Sequence, residues 1–388
     1  MKILVASGSF KDVFNPIEAC EMIGLSLNQN KNQIVQIPIC DGGEYTYEVL
    51  KKYFLYTEES AENVLNAFGQ KRTARYLVKD DEAHIISSEI LRLYPEEDEY
   101  KNPLKLTDYG LGQMLLDAIG KGYRKIKLYI GGTSTVCCGM GFIQALGYQI
   151  IDSVGNTLSA PITAENLRNV NQILASTKSF SDIEIQVIAD GDAKSFEMSG
   201  ITGLKVGKTY AEAKQTIVEQ TNAGIKNIID VTGISENMPF SGAAGGLLFG
   251  IEQVFHPEYL LGGTYFANLL SLEDAIVAAD LIITGEGRFD NTACGKTPAS
   301  VAALAQKYNK PVLFVCGQIA KDAVSDYSGG IVVGEHEEAL RELGISKLIT
   351  CQEYYDRNPM QGDYVDYIDI FRNQTPMILK ELFQKENL

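Results

Sequence analysis

The chain has no tryptophan, only three histidines in 388 residues, and 34 Lys plus Arg against 50 Asp plus Glu, a formal net charge of −16. That shortage of cations argues against nucleic acid and anionic membrane surfaces as partners, because both are bound through basic patches. An anionic ligand must instead be met by a few focused cations. His84, His256 and His336 stand in unrelated contexts, none beside a glycine-serine elbow, so a Ser/His/Asp hydrolase has no support. The seven cysteines form no CxxC pair and have no histidine at zinc spacing. Neither a disulfide framework nor a zinc site is expected, and a reducing cytoplasm is the expected setting. The opening apolar run stops at Ser7, too short for a secretory core region. No stretch approaches the length of a membrane span.

What is present is an ordinary globular composition, 45% hydrophobic and 22% charged, with 36 Gly against 11 Pro. At roughly 150 residues per domain the length predicts two or three domains. Apolar runs rich in Ile, Val and Leu at 3–6, 34–37, 126–130, 185–189, 281–284, 312–316, 331–333 and 348–350 read as strands, several apolar enough to be buried on both faces in a parallel sheet. Between them EACEMIGLSL, GQMLLDAIGKG, GGLLFGIEQVF, SVAALAQKY and EEALRELGI space their apolar residues as helices do. The alternation predicts an α/β protein with two α/β domains: a flavodoxin-like parallel-sheet domain from both chain ends, 1–75 with 275–388, and an inserted second domain, 76–274. The charged, proline-punctuated segment 94–105 reads as a solvated loop or hinge.

Five clusters place glycine, acid and lysine just after a strand, the position where open α/β sheets bind ligands. Ser7 to Lys11 offers hydroxyls and a cation ahead of a helix. In Cys40-Asp-Gly-Gly-Glu44 the paired glycines admit close backbone approach between two carboxylates. Gly131-Gly132-Thr133 and the residues after it suit either an anion nest or tight helix packing, and so does Gly242-Ala-Ala-Gly245-Gly246. The adjacent Cys137 and Cys138 read as small buried residues of a glycine loop. The fifth cluster, Gly285-Glu-Gly-Arg-Phe-Asp290 followed by Asn-Thr-Ala-Cys-Gly-Lys296-Thr, nearly spells a phosphate-binding Walker loop but has Asp290 at the first glycine position. Lys296 can reach a phosphate, and Glu286 and Asp290 are hard oxygen ligands of the kind Mg²⁺ accepts. The same residues also read as a simple helix start, with Thr297 capping and Pro298 at the first helical position.

Taken in order, SFKDVFNPIEA, CDGGEYT, TDYGLGQML, GGTST, SGAAGG and ITGEGRFDNTACGKTPASVA resemble the bacterial glycerate kinase family, the D-glycerate 2-kinase type, across nearly the whole chain. The resemblance implies ATP- and Mg²⁺-dependent phosphorylation of D-glycerate or a close small hydroxy acid, with the active site in the cleft between two α/β domains. It implies a small acid and a nucleotide as partners, with no nucleic acid and no membrane. In that reading Asp190 accepts the hydroxyl proton and Lys11 supplies catalytic charge. Ser9, Asp41, Gly42, Gly43 and Glu44 receive the substrate. Gly131, Gly132, Thr133, Gly242, Gly245, Gly246, Arg288 and Lys296 hold phosphate or nucleotide, and Glu286 and Asp290 hold the metal.

The chain departs from the family pattern at several points. GGSATNDGG stands here as GGTSTVCCG, with Val136 and Cys137 in place of Asn-Asp. Only the aspartate survives of Asp-Val-Asn-Pro after residue 189, the Gln-Lys-Gly-Ala piece before Gly242 is missing, and the spacing from Asp290 to Gly295 is one residue short. These changes define the alternative: an altered family member that binds a small acid or nucleotide as a sensor or partner module.

Overall fold

A computed structural model describes residues 1–10, 13–94, 97–191, 206–290, 297–320, 323–324, 329–334, 337–357 and 364–388. It divides into two compact units, Met1–Cys40 with Gly263–Leu388, and Asp41–Gly262. Unit 1 opens with β1 (Lys2–Val5), whose Ile3, Leu4 and Val5 are all buried, as befits a strand covered on both faces. Helix α1 (Pro16–Ser26) starts where Asn15 accepts from the amides of Ile17 and Glu18 at 2.9 Å while Glu18 accepts from the Asn15 amide. That reciprocal box, with Pro16 at the first position, fixes the helix start. Strand β2 (Gln33–Gln36) follows.

The chain then builds unit 2 through α2 (Thr46–Tyr53), β3 (Thr57–Leu65), β4 (Lys71–Lys79), β5 (Glu82–Ile86), α3 (Ser88–Leu91), α4 (Tyr109–Gly120), β6 (Lys125–Tyr129) and α5 (Met140–Ala145). The hairpin β7 (Gln149–Asp152) and β8 (Val170–Leu174), then β9 (Glu184–Ala189), α6 (Lys214–Thr232), α7 (Leu247–Phe255) and β10 (Glu258–Leu261) complete it. In its main sheet, ordered β10-β9-β6-β5-β4-β3, the pairs from β10 to β5 are parallel and the β5-β4-β3 edge is antiparallel. Ile85, Leu128 and Val187 from three adjacent parallel strands are fully buried in one core with Leu111, Leu115 and Phe249 of the covering helices.

Helix α8 (Gly262–Leu269) leads back to α9 (Leu272–Ala278), β11 (Leu281–Phe289), α10 (Thr297–Lys307), β12 (Val312–Ile319), β13 (Ile331–Val333), α11 (Glu338–Glu342), β14 (Lys347–Thr350), α12 (Gln352–Arg357) and α13 (Tyr364–Lys385). The sheet of unit 1 runs β13-β14-β12-β11-β1-β2, parallel except at β13-β14. Alternate residues of β1 feed two cores, Leu4 into one face and Ile3 and Val5 into the other. The order of connection reverses between β1 and β11, the flavodoxin-like switch point at which such sheets bind ligands.

Strand β11 is longer than the 281–284 run predicts. Its pairing with β12 continues through Glu286 opposite Cys316 and Arg288 opposite Gln318, so Gly285 to Phe289 is strand and not loop. Gly285 permits this: a side chain there would start 2.2 Å from the Val315 carbonyl oxygen. Among the described residues no helix is long and apolar enough to cross a membrane.

Candidate active site

In unit 2 the carboxyl ends of three neighbouring parallel strands converge on one glycine-lined floor. Ser87 and Ser88 follow β5, Gly131 and Gly132 follow β6, and Asp190 follows β9. The segment Asp41 to Glu44 lies directly against them. The Gly131 amide donates to the Gly42 carbonyl at 3.1 Å and the Ser87 hydroxyl to the Gly131 carbonyl at 3.0 Å. The Gly43 amide donates to Asp41 Oδ1 at 3.1 Å, which fixes the turn. A Cβ on Gly131 would lie 2.6 Å from Gly43 Cα and 2.7 Å from Asp190 Cβ, and one on Gly132 would lie 3.0 Å from Glu44 Cγ. Two backbone segments therefore touch where the sequence reads Gly-Gly on both sides. The structure brings Asp41, Gly42, Gly43, Glu44, Gly131, Gly132 and Asp190 into one group.

This grouping sets the electrostatics of Asp190. Enclosure by protein pushes its carboxyl up to about 6, and the negative charges of Asp41 and Glu44 push the same way, against donation from backbone amides including that of Gly132. Asp190 still presents an exposed surface. It is crowded on the sheet side and wet on the other, so solvent screening moderates the cost of its charge. A carboxyl of this kind can exchange a proton near neutral pH.

Arg92 belongs to the same group, although no sequence motif points to it. Its Nε lies 3.6 Å from Glu44 Oε1, the two side chains being 15% and 22% exposed. The guanidinium centre stands 5.0 Å from the Tyr45 ring and 5.6 Å from the Tyr94 ring. The signal that would have found it is the strand before it: once EAHII is read as β5, the residues after it form a carboxyl-end segment like the others.

The third and fourth glycine clusters also meet. Thr133 is half-buried, and the Ser134 amide donates to the Leu91 carbonyl at 3.1 Å. Gly245 and Gly246 have φ of 63° and 79°, and Gly242 opens the turn that leads into α7. A Cβ on Gly245 would lie 1.9 Å from the Thr135 carbonyl oxygen, and the Cys138 amide donates to the Gly245 carbonyl at 3.3 Å. Tight packing thus accounts for Gly245. The cysteines are architectural, since Cys137 and Cys138 are fully buried, their thiols are pushed well up by that burial, and Cys137 Sγ donates to the Leu106 carbonyl at 2.9 Å. Buried Asp108 ties the loop down, accepting from the amides of Gly139 at 3.0 Å and Phe142 at 2.9 Å. Burial pushes its carboxyl up to about 6 despite those donors.

In unit 1 the switch point joins the first and fifth clusters. The Ser7 hydroxyl and the Gly8 amide both donate to the Gly285 carbonyl at 3.1 Å, which sets half-buried Ser9 at the end of β1. On β11 Glu286 is 8% exposed. Arg288 is exposed and Asp290 half-buried at the strand end. Lys11 and Lys296 lie outside the described residues, as does the rest of 291–296. Among the described residues no group of three or more His, Cys, Asp or Glu side chains gathers as a metal site. The carboxylates of Glu286 and Asp290 are each hard oxygen donors of the kind that Mg²⁺ accepts alongside phosphate oxygens and water.

The sequence model of the glycerate kinase family matches residues 3–334. A glycerate kinase of Neisseria meningitidis is 28% identical over 336 residues, 84% of this chain and 88% of that one. The glycerate 2-kinase of Escherichia coli is 29% identical over 347 residues, 85% and 89% of the two chains. A crystal structure from Salmonella typhimurium, of a candidate glycerate kinase 2, shares the fold at a TM-score of 0.67 and 23% identity, covering 100% of this chain and 98% of that one. The chain belongs to the glycerate kinase family, a family of kinases acting on small molecules.

Proposed function

We propose that the protein transfers the terminal phosphoryl group of ATP, with Mg²⁺, to a hydroxyl of D-glycerate or a close small hydroxy acid. The observation that carries this reading is the position of Asp190 on the glycine floor of unit 2, with its carboxyl pushed up to about 6. As the substrate oxygen forms its bond to phosphorus and the bond to the leaving ADP breaks, the hydroxyl proton passes to Asp190. Asp41, Gly42, Gly43 and Glu44 shape the place for the acid. Gly131, Gly132, Thr133, Gly242, Gly245 and Gly246 offer amides to phosphate oxygens.

From unit 1, Arg288 with Lys11 and Lys296 supplies positive charge to the nucleotide, and Glu286 and Asp290 would hold the metal. Mg²⁺ when bound neutralises phosphate charge. Phosphoryl transfer asks chiefly for such positioning and charge compensation.

ADP release with and without D-glycerate tests the reading, in the wild type, Asp190→Asn and Lys296→Ala. Glycerate-dependent release should fall by about 10²- to 10⁴-fold in Asp190→Asn, with ATP binding kept. Unchanged turnover in that variant removes Asp190 from the reaction. The second reading, a binding module without turnover, is favoured by the burial of Val136 and Cys137, which face the core where the family pattern has Asn-Asp. Stabilisation of the wild type by glycerate or ATP, with no ADP above the blank, would favour it.

A further inference from the structure

Phosphoryl transfer leaves two features of unit 2 without a role: the backbone of Tyr45 and the cation beside it. Tyr45 sits at φ 66°, ψ 6°, a left-handed conformation that is uncommon for a bulky side chain and that persists where the surroundings impose it. It comes directly after Glu44 and directly before α2. This conformation sets the ring 5.0 Å from the Arg92 guanidinium, and Arg92 Nη2 donates to the Tyr45 hydroxyl at 3.5 Å. Tyr94 flanks the guanidinium at 5.6 Å. The backbone beside Arg92 is pinned as well, because the Leu91 carbonyl accepts from the Ser134 amide in the loop that carries Gly131 and Gly132.

The charge pattern gives this arrangement a purpose. The floor gathers the carboxylates of Asp41, Glu44 and Asp190, which would repel an anionic substrate. Among the described residues Arg92 is the cation ion-paired into that group. A guanidinium flanked by two aromatic rings and anchored at one edge presents its remaining N–H groups in a fixed fork, the geometry that matches a carboxylate with two parallel hydrogen bonds.

Resting on the hydroxy-acid reading, we infer that Arg92 binds the carboxylate of the substrate and that Tyr45 is the positioning residue that holds the guanidinium for it. Arg92 is then the group that selects a hydroxy acid over an uncharged polyol.

Steady-state kinetics of the full chain with D-glycerate and with glycerol, and calorimetric titration of D-glycerate, test this. Arg92→Gln should raise KM for D-glycerate by about 10- to 150-fold, the range expected for hydrogen bonds to a charged group. kcat and the KM for ATP should change little, and the preference for D-glycerate over glycerol should shrink by the same factor. Arg92→Lys, which keeps the charge and loses the fork, should recover only part of the loss. Tyr45→Gly suits the left-handed backbone and should keep the melting temperature while raising KM for D-glycerate.

A purely architectural Arg92 would lower the melting temperature of Arg92→Gln and leave the glycerate-to-glycerol ratio where it was, and that result overturns the inference. Should the wild type bind D-glycerate without phosphorylating it, the kinase reading falls while the inference is decided by titration: lost binding in Arg92→Gln supports it and retained binding refutes it. No binding of D-glycerate by the wild type refutes both.

Discussion

The assembly of the floor can be tested by adding one methyl group. In Gly131→Ala the new Cβ would lie 2.6 Å from Gly43 Cα, 2.7 Å from Asp190 Cβ and 2.8 Å from Asp190 Cγ. Ordinary carbon contacts are about 3.5–4.0 Å, so the 41–44 segment and Asp190 must separate by about 1 Å. Neither a Cα nor a Cβ can rotate out of the way, so the backbone has to yield. Overpacking of this kind costs about 1–3 kcal/mol, and for a unit the size of 41–262 each kcal/mol lowers the melting temperature by roughly 2–4 °C.

If Asp190 is the proton acceptor proposed above, a displacement of about 1 Å there also costs about 100-fold in rate. The assay pairs scanning calorimetry with kcat for D-glycerate. Gly120→Ala is the control, since a Cβ there meets nothing within 4 Å and should leave both quantities near wild type. If Gly131→Ala keeps the wild-type melting temperature and kcat, the close approach of the two glycine segments is not what places Asp190.

Single groups carry three further expected outcomes. Because Asp190 is pushed up to about 6, kcat/KM should fall on the acid side of that pH. An unfolded aspartate titrates near 3.9, so between about pH 4 and 6 the folded chain holds a proton the unfolded chain has lost, and stability falls as pH rises through that window. Asp190→Asn should therefore raise the melting temperature at neutral pH, with the gain fading toward pH 4; a gain independent of pH would contradict the assignment. Asp108→Ala leaves the buried amides of Gly139 and Phe142 without acceptors and should cost roughly 2–4 kcal/mol by denaturant unfolding; a loss under about 0.5 kcal/mol, the scale of an ordinary surface change, would show that those amides find water. Cys137→Asp puts a carboxylate against the Leu106 carbonyl at a fully buried position and should lower the melting temperature without raising kcat; higher kcat at unchanged stability would mean that this loop faces the substrate.

Apolar strands were readable in the sequence, and half-exposed ones were not. KILV and VLFVCGQI announce buried parallel strands, whereas TEESAENVL of β3 and KRTARYLVK of β4 scatter charge along an antiparallel edge where one face meets water. The short EAHII of β5 sits beside them and carries a histidine, which hides its carboxyl end and Arg92 with it. The extension of β11 was hidden for a different reason: Gly285, Glu286, Gly287 and Arg288 have no strand propensity of their own, and pairing with β12 imposes the conformation. The glycine pairs were legible as points of close approach, but which pair meets which is set by long-range topology. Spacing within the chain does not contain that information.

The topology also divides work among the carboxylates. Asp41 accepts from the Gly43 amide and so holds the turn. Glu44 leans on Arg92, and its Cγ borders the space that Gly132 leaves open. Both are tied to positioning. Asp190 follows β9 with a crowded side and a wet side, and its neighbours' charges raise its proton affinity further. Where environments push titratable groups apart, the group whose pKa approaches working pH is the one suited to proton transfer. In the proposed reaction the fixed carboxylates then act through Asp190, and removing either should lower its pKa as well as disturb the floor. Asp41→Asn should shift the acid limb of the kcat/KM profile to lower pH, a displacement that loss of positioning alone would not produce.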